Sequence, residues 1–150
     1  MTEGELCDAL INFFTTQLRA VEVQAEPVSF SKDRTLPHGG VCEVVQGQNP
    51  AGYYTVEQAP NEPDPTLGLR GYEKKPDLGD AVWVFDLRAD EGNHSNRVRF
   101  ATRVNEWNAV LEIRDSEIRT ADGSLHLTDA DKVESVRFLT ELTTKFALHR

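Results

Sequence analysis

The chain has 150 residues, of which 39% are hydrophobic and 27% are charged. This length and composition are typical of one domain with its own hydrophobic core, so we expect residues 1–150 to form a single domain. The longest uncharged stretches, such as residues 9–18, are too short to cross a bilayer, which excludes a membrane-spanning helix. The N-terminal sequence MTEGELCDAL is acidic where an export signal is basic, and it predicts a cytoplasmic protein.

The formal net charge of −9 limits the partners that the protein can bind. Such a charge repels a phosphate backbone, so we do not expect nucleic-acid binding. Proteins and neutral ligands are the expected partners, and an acidic surface also suits a protein that masks a basic surface of its partner. The same charge is an ordinary means of solubility, and this alternative stays open.

Two cysteines, Cys7 and Cys42, fall in a predicted helix and a predicted strand. Neither has a second cysteine beside it to form the CxxC motif of a metal or redox site. We therefore expect both side chains to be small buried hydrophobic groups.

The first predicted element is an amphipathic helix over residues 2–21. Its apolar residues recur at three- and four-residue intervals, namely Leu6, Leu10, Phe13, Phe14, Leu18 and Val21. Thr2 and Glu5 have the spacing of a capping box, in which each side chain accepts a hydrogen bond from a backbone N–H at the helix start. Residues 21–30 then alternate between apolar and polar until Pro27, which predicts a short edge strand or an extended connection.

Short strands are predicted through the middle of the chain. We expect a hairpin whose strands cover residues 41–46 and 53–58, joined by five or six residues, and a central strand over residues 80–88. Residues 97–105 alternate cleanly and predict a strand with one face in the core and the other wet or bound to a partner. Residues 109–114 and 117–121 are also strand-like, and Asp122-Gly123 predicts a two-residue hairpin turn.

The last predicted element is a helix over residues 128–148, with Thr128 as its N-cap. A helix, several strands and a second helix, without regular alternation, predict the α+β class with a mainly antiparallel sheet of about five to seven strands. Both terminal helices have one apolar stripe. We expect them to pack on the same face of the sheet and to leave the opposite face open.

A proline- and glycine-rich loop is predicted at residues 59–79, which hold four of the seven prolines and three of the ten glycines. Loops of this length inside a compact domain tend to be binding loops, lids or disordered segments. One interpretation is a mobile surface excursion. The other is an interaction loop, in which apolar contacts come from Leu67, Leu69 and Tyr72 while Arg70 and two lysines supply charge.

Three arginines, Arg97, Arg99 and Arg103, share one face of the strand predicted at residues 97–105. They form a local positive patch suited to carboxylate or phosphate, which Arg88, Arg114 or Arg119 could extend from neighbouring strands. The alternative is a solvated face in which the arginines pair with Glu112, Glu117 and Asp86. The alternating positions carry no exposed aromatics for stacking bases, which argues against RNA recognition.

Motifs for catalysis or cofactor binding are weak or missing. His38 precedes two glycines, as in the oxyanion loop of esterases, but the chain has no GxSxG sequence. The four histidines, His38, His94, His126 and His149, are scattered, so no metal site is predicted. The chain also lacks the glycine patterns GxxxxGK[ST] and GxGxxG that cradle phosphates, and we expect no cofactor.

The leading hypothesis is a non-catalytic acidic binding or adaptor protein that docks to another protein, alone or as a homodimer. Inhibitors, immunity proteins, effector chaperones and phage accessory proteins are of this type. Its expected partner-binding residues are Arg97, Arg99, Arg103, Leu67, Leu69, Arg70 and Tyr72. The alternative hypothesis is a small-ligand-binding or enzymatic cup. Its pocket would be lined by Trp83, Tyr53, Tyr54 and Trp107, with His38 or His126 as acid or base.

Overall fold

The computed structural model describes residues 1–26, 32–89 and 95–148. Within these residues the chain forms two α-helices, α1 (Glu3–Thr16) and α2 (Asp129–Leu148), and nine strands. The strands are β1 (Val23–Glu26), β2 (Gly39–Gln46), β3 (Asn49–Gln58), β4 (Glu73–Lys74), β5 (Val82–Asp86), β6 (Arg97–Val104), β7 (Trp107–Arg114), β8 (Arg119–Thr120) and β9 (Gly123–Ser124). The predicted α+β class, with a helix near each end of the chain, is confirmed.

Seven strands form one antiparallel sheet in the order β1-β2-β3-β7-β6-β5-β4, and β8 pairs with β9 separately. The short edge strand predicted in residues 21–30 is confirmed as β1, although residues 27–30 lie outside the described part of the chain. The strand predicted at residues 80–88 ends at Asp86, where a 3₁₀ turn, Leu87–Ala89, follows. It is last but one in the sheet rather than central, because only the two-residue β4 lies beyond it.

Helix α1 begins with the predicted capping box. The Thr2 hydroxyl accepts a hydrogen bond from the Glu5 N–H at 3.1 Å, and the Glu5 carboxylate accepts one from the Thr2 N–H at 2.8 Å. The helix ends at Thr16, earlier than the predicted residue 21. Arg19 adopts a left-handed φ of 60°, which turns the chain towards β1, while Leu18 stays buried beyond the helix end.

Two hairpin turns differ from their predicted positions. Only Gly47 and Gln48 join β2 to β3, so the predicted five or six residues were wrong, because β3 begins at Asn49 rather than at residue 53. In the second hairpin Thr120 pairs with Gly123, which places the turn one residue earlier than the predicted Asp122-Gly123. Gly123 supplies a positive φ of 134° directly after that turn.

Both helices pack on the same face of the sheet, as predicted. Helix α1 lies against β1 and β2, helix α2 lies against β6 and β7, and the rings of Phe13 and Phe138 stack between the helices at 4.3 Å. Tyr54 in β3 points into this core, where its hydroxyl lies 3.0 Å from the Thr143 hydroxyl of α2. The predicted N-cap of α2 is also present, because the Thr128 hydroxyl accepts a hydrogen bond from the Asp131 N–H.

The two cysteines correct a prediction. Both side chains are buried, but Cys7 of α1 and Cys42 of β2 form a disulfide, with their Cα atoms 5.6 Å apart. A separation of 35 residues hid this pairing, since only the packing of α1 on the sheet brings the two residues together. Disulfides are more common in oxidising compartments than in the cytoplasm, so the cytoplasmic location stays a prediction.

Neither helix in residues 1–26, 32–89 and 95–148 combines the length and the apolarity that a bilayer crossing needs.

Candidate functional site

The face of the sheet opposite the helices carries the polar side chains of the alternating strands. In β6, Val98, Phe100 and Thr102 are buried towards the helices, so the arginines of this strand project from the opposite, open face. The register places Tyr53 of β3 beside Glu112 of β7, and Glu112 beside Arg99 of β6. A polar row therefore crosses the centre of the open face.

The proline- and glycine-rich loop covers part of this face, which the sequence predicted to be uncovered. Its first turn is held by Arg103, whose Nη1 lies 2.8–3.1 Å from the backbone oxygens of Ala59 and Glu62 and from the Asn108 side chain. Asn108 also donates a hydrogen bond to the Glu62 oxygen at 2.7 Å. The loop is thus fixed at its start to strands β6 and β7.

The far end of the loop is also fixed. Strand β4 pairs with β5, and the Tyr72 ring meets the Phe85 ring edge-on at 5.5 Å. Gly71 has a φ of 101°, and a Cβ atom there would overlap the Phe85 ring. Only glycine allows the backbone to pass this close to the ring, so Gly71 sets the position of Tyr72.

A groove of about 310 Å³ lies between the loop and the open face. Tyr53 and Arg99 lie on its sheet side, and Tyr72 lies on its loop side. Its rim is apolar and exposed, since Val41, Leu67 and Leu69 are 47%, 60% and 57% exposed. A second cavity of about 450 Å³, beside His38, lies next to the groove, and both are bordered by Pro65 and Leu67.

An arginine cluster, consisting of Arg97, Arg99 and Arg114, surrounds the Glu112 carboxylate at one end of the groove. The Glu112 side chain is only 3% exposed, and its oxygens lie 2.9 Å from Arg99, 3.6 Å from Arg114 and 4.0 Å from Arg97. Arg114 also lies 3.7 Å from Glu117. A cleft of about 220 Å³ lies over the cluster and shares Tyr53, Arg99 and Glu43 with the groove.

Two tyrosines of the groove keep their protons at neutral pH. Burial, together with the Glu112 carboxylate, raises the pKa of Tyr53, and burial raises the pKa of Tyr72 to about 12. Both hydroxyls therefore remain neutral hydrogen-bonding groups and cannot serve as bases near pH 7.

The structure brings most of the predicted partner-binding residues together. Arg97 and Arg99 belong to the arginine cluster, and Leu67, Leu69 and Tyr72 line the groove. Arg70, which lies between Leu69 and Tyr72 in the sequence, is exposed on the loop. Arg103 instead holds the loop, so its guanidinium already has internal acceptors.

The sequence-based prediction did not identify several residues of the site, and it assigned others to the wrong position. Of the three arginines predicted to extend the positive patch of β6, only Arg114 does so. Arg88 pairs with Asp86 and Asp115, and Arg119 lies near Glu22. The arginines of the patch pair with Glu112, as the alternative interpretation predicted. Asp86 instead pairs with Arg88 and Lys132. Tyr53 and Val41 were missed as groove residues, because their neighbours depend on the register of β2, β3 and β7 rather than on one strand's pattern.

The four aromatic residues of the alternative hypothesis do not line one pocket. Tyr54 and Trp107 are buried on the helix side, where Trp107 contacts Phe146, while Tyr53 and Trp83 lie on the open face. The His38 ring lies 3.2 Å from the Gln58 side chain, and His126 is exposed. His94 and His149 lie outside the described residues. In the described ranges no three His, Cys, Asp or Glu side chains converge as a metal site.

No protein-family model, curated protein or solved structure matches the chain.

Proposed function

We propose that the protein is a non-catalytic binding module that holds a short segment of a protein partner in the groove between its loop and its sheet. The observation that supports this function is that the groove combines an apolar rim with a charged end. Exposed apolar side chains form the rim, and the buried end leads to an arginine cluster. Apolar contact supplies binding energy at such a surface, and charged groups select the partner.

The conformation of Leu67 supports this function. Its φ of 55° lies in the left-handed region, and its side chain is 60% exposed. An exposed leucine gains little from the fold, and a left-handed φ is strained for a residue other than glycine, asparagine or aspartate. A strained backbone position whose side chain gains little from burial is typical of a binding site.

The shape of the groove favours a segment of chain over an enclosed small molecule. Its volume is about 310 Å³, and the groove adjoins the cavity of about 450 Å³ beside His38, so the two form an extended depression along the loop. The exposed leucines at its rim would remain wet around a small ligand. A peptide that inserts one side chain and covers Leu67 and Leu69 would remove them from water.

Selection of short random peptides, displayed on phage, against the immobilised protein tests this function. Enriched peptides are then synthesised, and their affinities are measured by fluorescence anisotropy for wild type and for L67D/L69D. We expect the double variant to bind at least tenfold more weakly, because it places charge on the apolar rim. Aspartate tolerates the left-handed φ, and both positions are exposed, so the variant should fold.

The control is Val133→Asp, which introduces one of these two charges at a similarly exposed apolar residue on α2. This control should bind the peptides as wild type does. Peptides that bind L67D/L69D as tightly as wild type would place the interface elsewhere, and an absence of enriched peptides would contradict the function. Sedimentation at several concentrations adds a further check, since a dimer that L67D/L69D dissociates would make a second copy the occupant.

A further inference from the structure

Two arginines stand directly opposite each other at one end of the sheet's open face. Arg97 of β6 pairs in register with Arg114 of β7, and both project to the same side as Arg99. Like charges in opposite positions of neighbouring strands destabilise a sheet. The arrangement therefore needs negative charge nearby to be stable.

The acids within reach supply only part of that charge. Glu112 contacts all three arginines of the cluster, and Glu117 contacts Arg114. Over the described residues, three guanidinium groups thus contact two carboxylates, and Glu43, the third acid at the cleft, forms no ion pair with any of them. In addition, the buried Arg114 Nε atom lies 3.6 Å from the nearest Glu112 oxygen, slightly beyond hydrogen-bond distance.

We propose that the arginine cluster binds one carboxylate of the peptide segment held in the groove. This inference rests on the function proposed above and adds the chemistry of the partner. Tyr53 and Arg99 border both the groove and the cleft over the cluster, so one segment can place an apolar side chain in the first and an acid in the second. The neutral hydroxyl of Tyr53 adds a hydrogen-bonding group beside the carboxylate.

A single carboxylate fits this site better than a phosphate. The cluster has one more guanidinium than it has carboxylates in contact with them, whereas a phosphate monoester carries roughly two negative charges at neutral pH. Glu43 lies across from Tyr53 in the neighbouring strand and borders both cavities. A second negative charge on the ligand would therefore approach Glu43 and be repelled.

The enriched peptides test this inference when each acidic residue is replaced by its amide. Each peptide is also made with a free and with an amidated C-terminus, which distinguishes a side-chain carboxylate from a terminal one. Affinities are measured for wild type, Arg97→Gln and Arg114→Gln. Arg137→Gln serves as control, because Arg137 is an exposed arginine on α2 that contacts only Glu134 in the described chain.

We expect one carboxylate in each peptide to contribute strongly to the affinity. Its replacement by the amide should weaken binding to the wild-type protein at least tenfold. The same removal should have much less effect on Arg97→Gln or Arg114→Gln, since the interaction is already lost, and the Arg137→Gln control should behave as wild type. Binding should also weaken as salt is raised.

The two proposals fail in different ways. Peptides that depend on Leu67 and Leu69 but bind equally well as amides would refute the carboxylate site and leave the groove function standing. Stronger binding of phosphorylated than of carboxylate peptides, lost in Arg97→Gln, would also refute it and assign the cluster to phosphate. Peptides that are insensitive to L67D/L69D would refute both.

Discussion

Removing the charge of the buried Glu112 carboxylate, at the centre of the arginine cluster, should lower the stability of the protein and raise its affinity for acidic peptides. Glu112→Gln keeps the size of the side chain and removes its charge, while the three guanidinium groups stay within 2.9–4.0 Å. A hydrogen bond to a charged group contributes about 1.5–3 kcal/mol, and breaking a fully buried ion pair costs about 3–5 kcal/mol. The arginine side chains are 23–32% exposed and remain partly hydrated, so we expect a loss of about 2–3 kcal/mol.

Urea unfolding measures this loss, because urea does not screen charges as a guanidinium salt does. A loss of this size lowers the melting temperature of a chain of this length by roughly 4–12 °C. Glu117→Gln is the control, since Glu117 is 46% exposed and contacts only Arg114 in the described chain, and it should change stability by less than about 0.5 kcal/mol. A Glu112→Gln protein as stable as the control would refute the reasoning.

Binding should change in the opposite direction. Glu112 competes with a ligand carboxylate for the same arginines, so Glu112→Gln should bind the acidic peptides more tightly than wild type while it unfolds more easily. A variant that lost both stability and affinity would show that Glu112 holds the arginines in the geometry that binding needs.

Three further predictions concern stability. The C7A/C42A variant should be less stable than the oxidised wild type by about 3–4 kcal/mol in urea, because the disulfide closes a long loop in the unfolded chain; equal stability would contradict this. A hydrogen bond from Arg88, with Lys132 nearby, lowers the pKa of Asp86 from 3.8 to about 2, so its stabilising effect is complete above about pH 4 and is lost as the pH falls towards 2. Asp86→Asn should flatten this part of the stability curve against pH, and an unchanged curve would exclude Asp86 as the source. Leu67→Asn should raise stability by a few tenths to about 1 kcal/mol and weaken peptide binding, whereas a loss of stability would show that Leu67 packs in the fold.

Sequence periodicity was sufficient to predict the layers of the fold but not its cross-links. The alternation in residues 97–104 correctly assigned Phe100 to the core and Arg99 to the open face, because burial of one face follows directly from the two-residue repeat of a strand. The Cys7–Cys42 disulfide depends on how α1 is placed over β2. The distance between Cys7 and Cys42 cannot be derived from a local sequence pattern.

The same difference applies to the candidate site. The arginines of β6 and the apolar residues of the loop could be identified separately, each from its own segment. Their meeting in one groove depends on the path of the loop across the sheet, and the contact between Arg99 and Glu112 depends on the register of β6 and β7. Register is a property of pairs of strands, so a single strand's pattern gave Glu112 only as one of several acids.

Arg103 shows why one row of arginines has two roles. The carbonyls of Ala59 and Glu62 each precede a proline, and a proline-rich segment has fewer N–H donors than acceptors. The guanidinium of Arg103 supplies the missing donors at 2.8–3.1 Å, and this holds the loop over the sheet. Reversing the charge of Arg103 would therefore disturb the groove as well as its potential, whereas Arg97 and Arg114 make no hydrogen bond to the loop in the described chain. The loop that forms the groove is itself positioned by the arginine row that borders it.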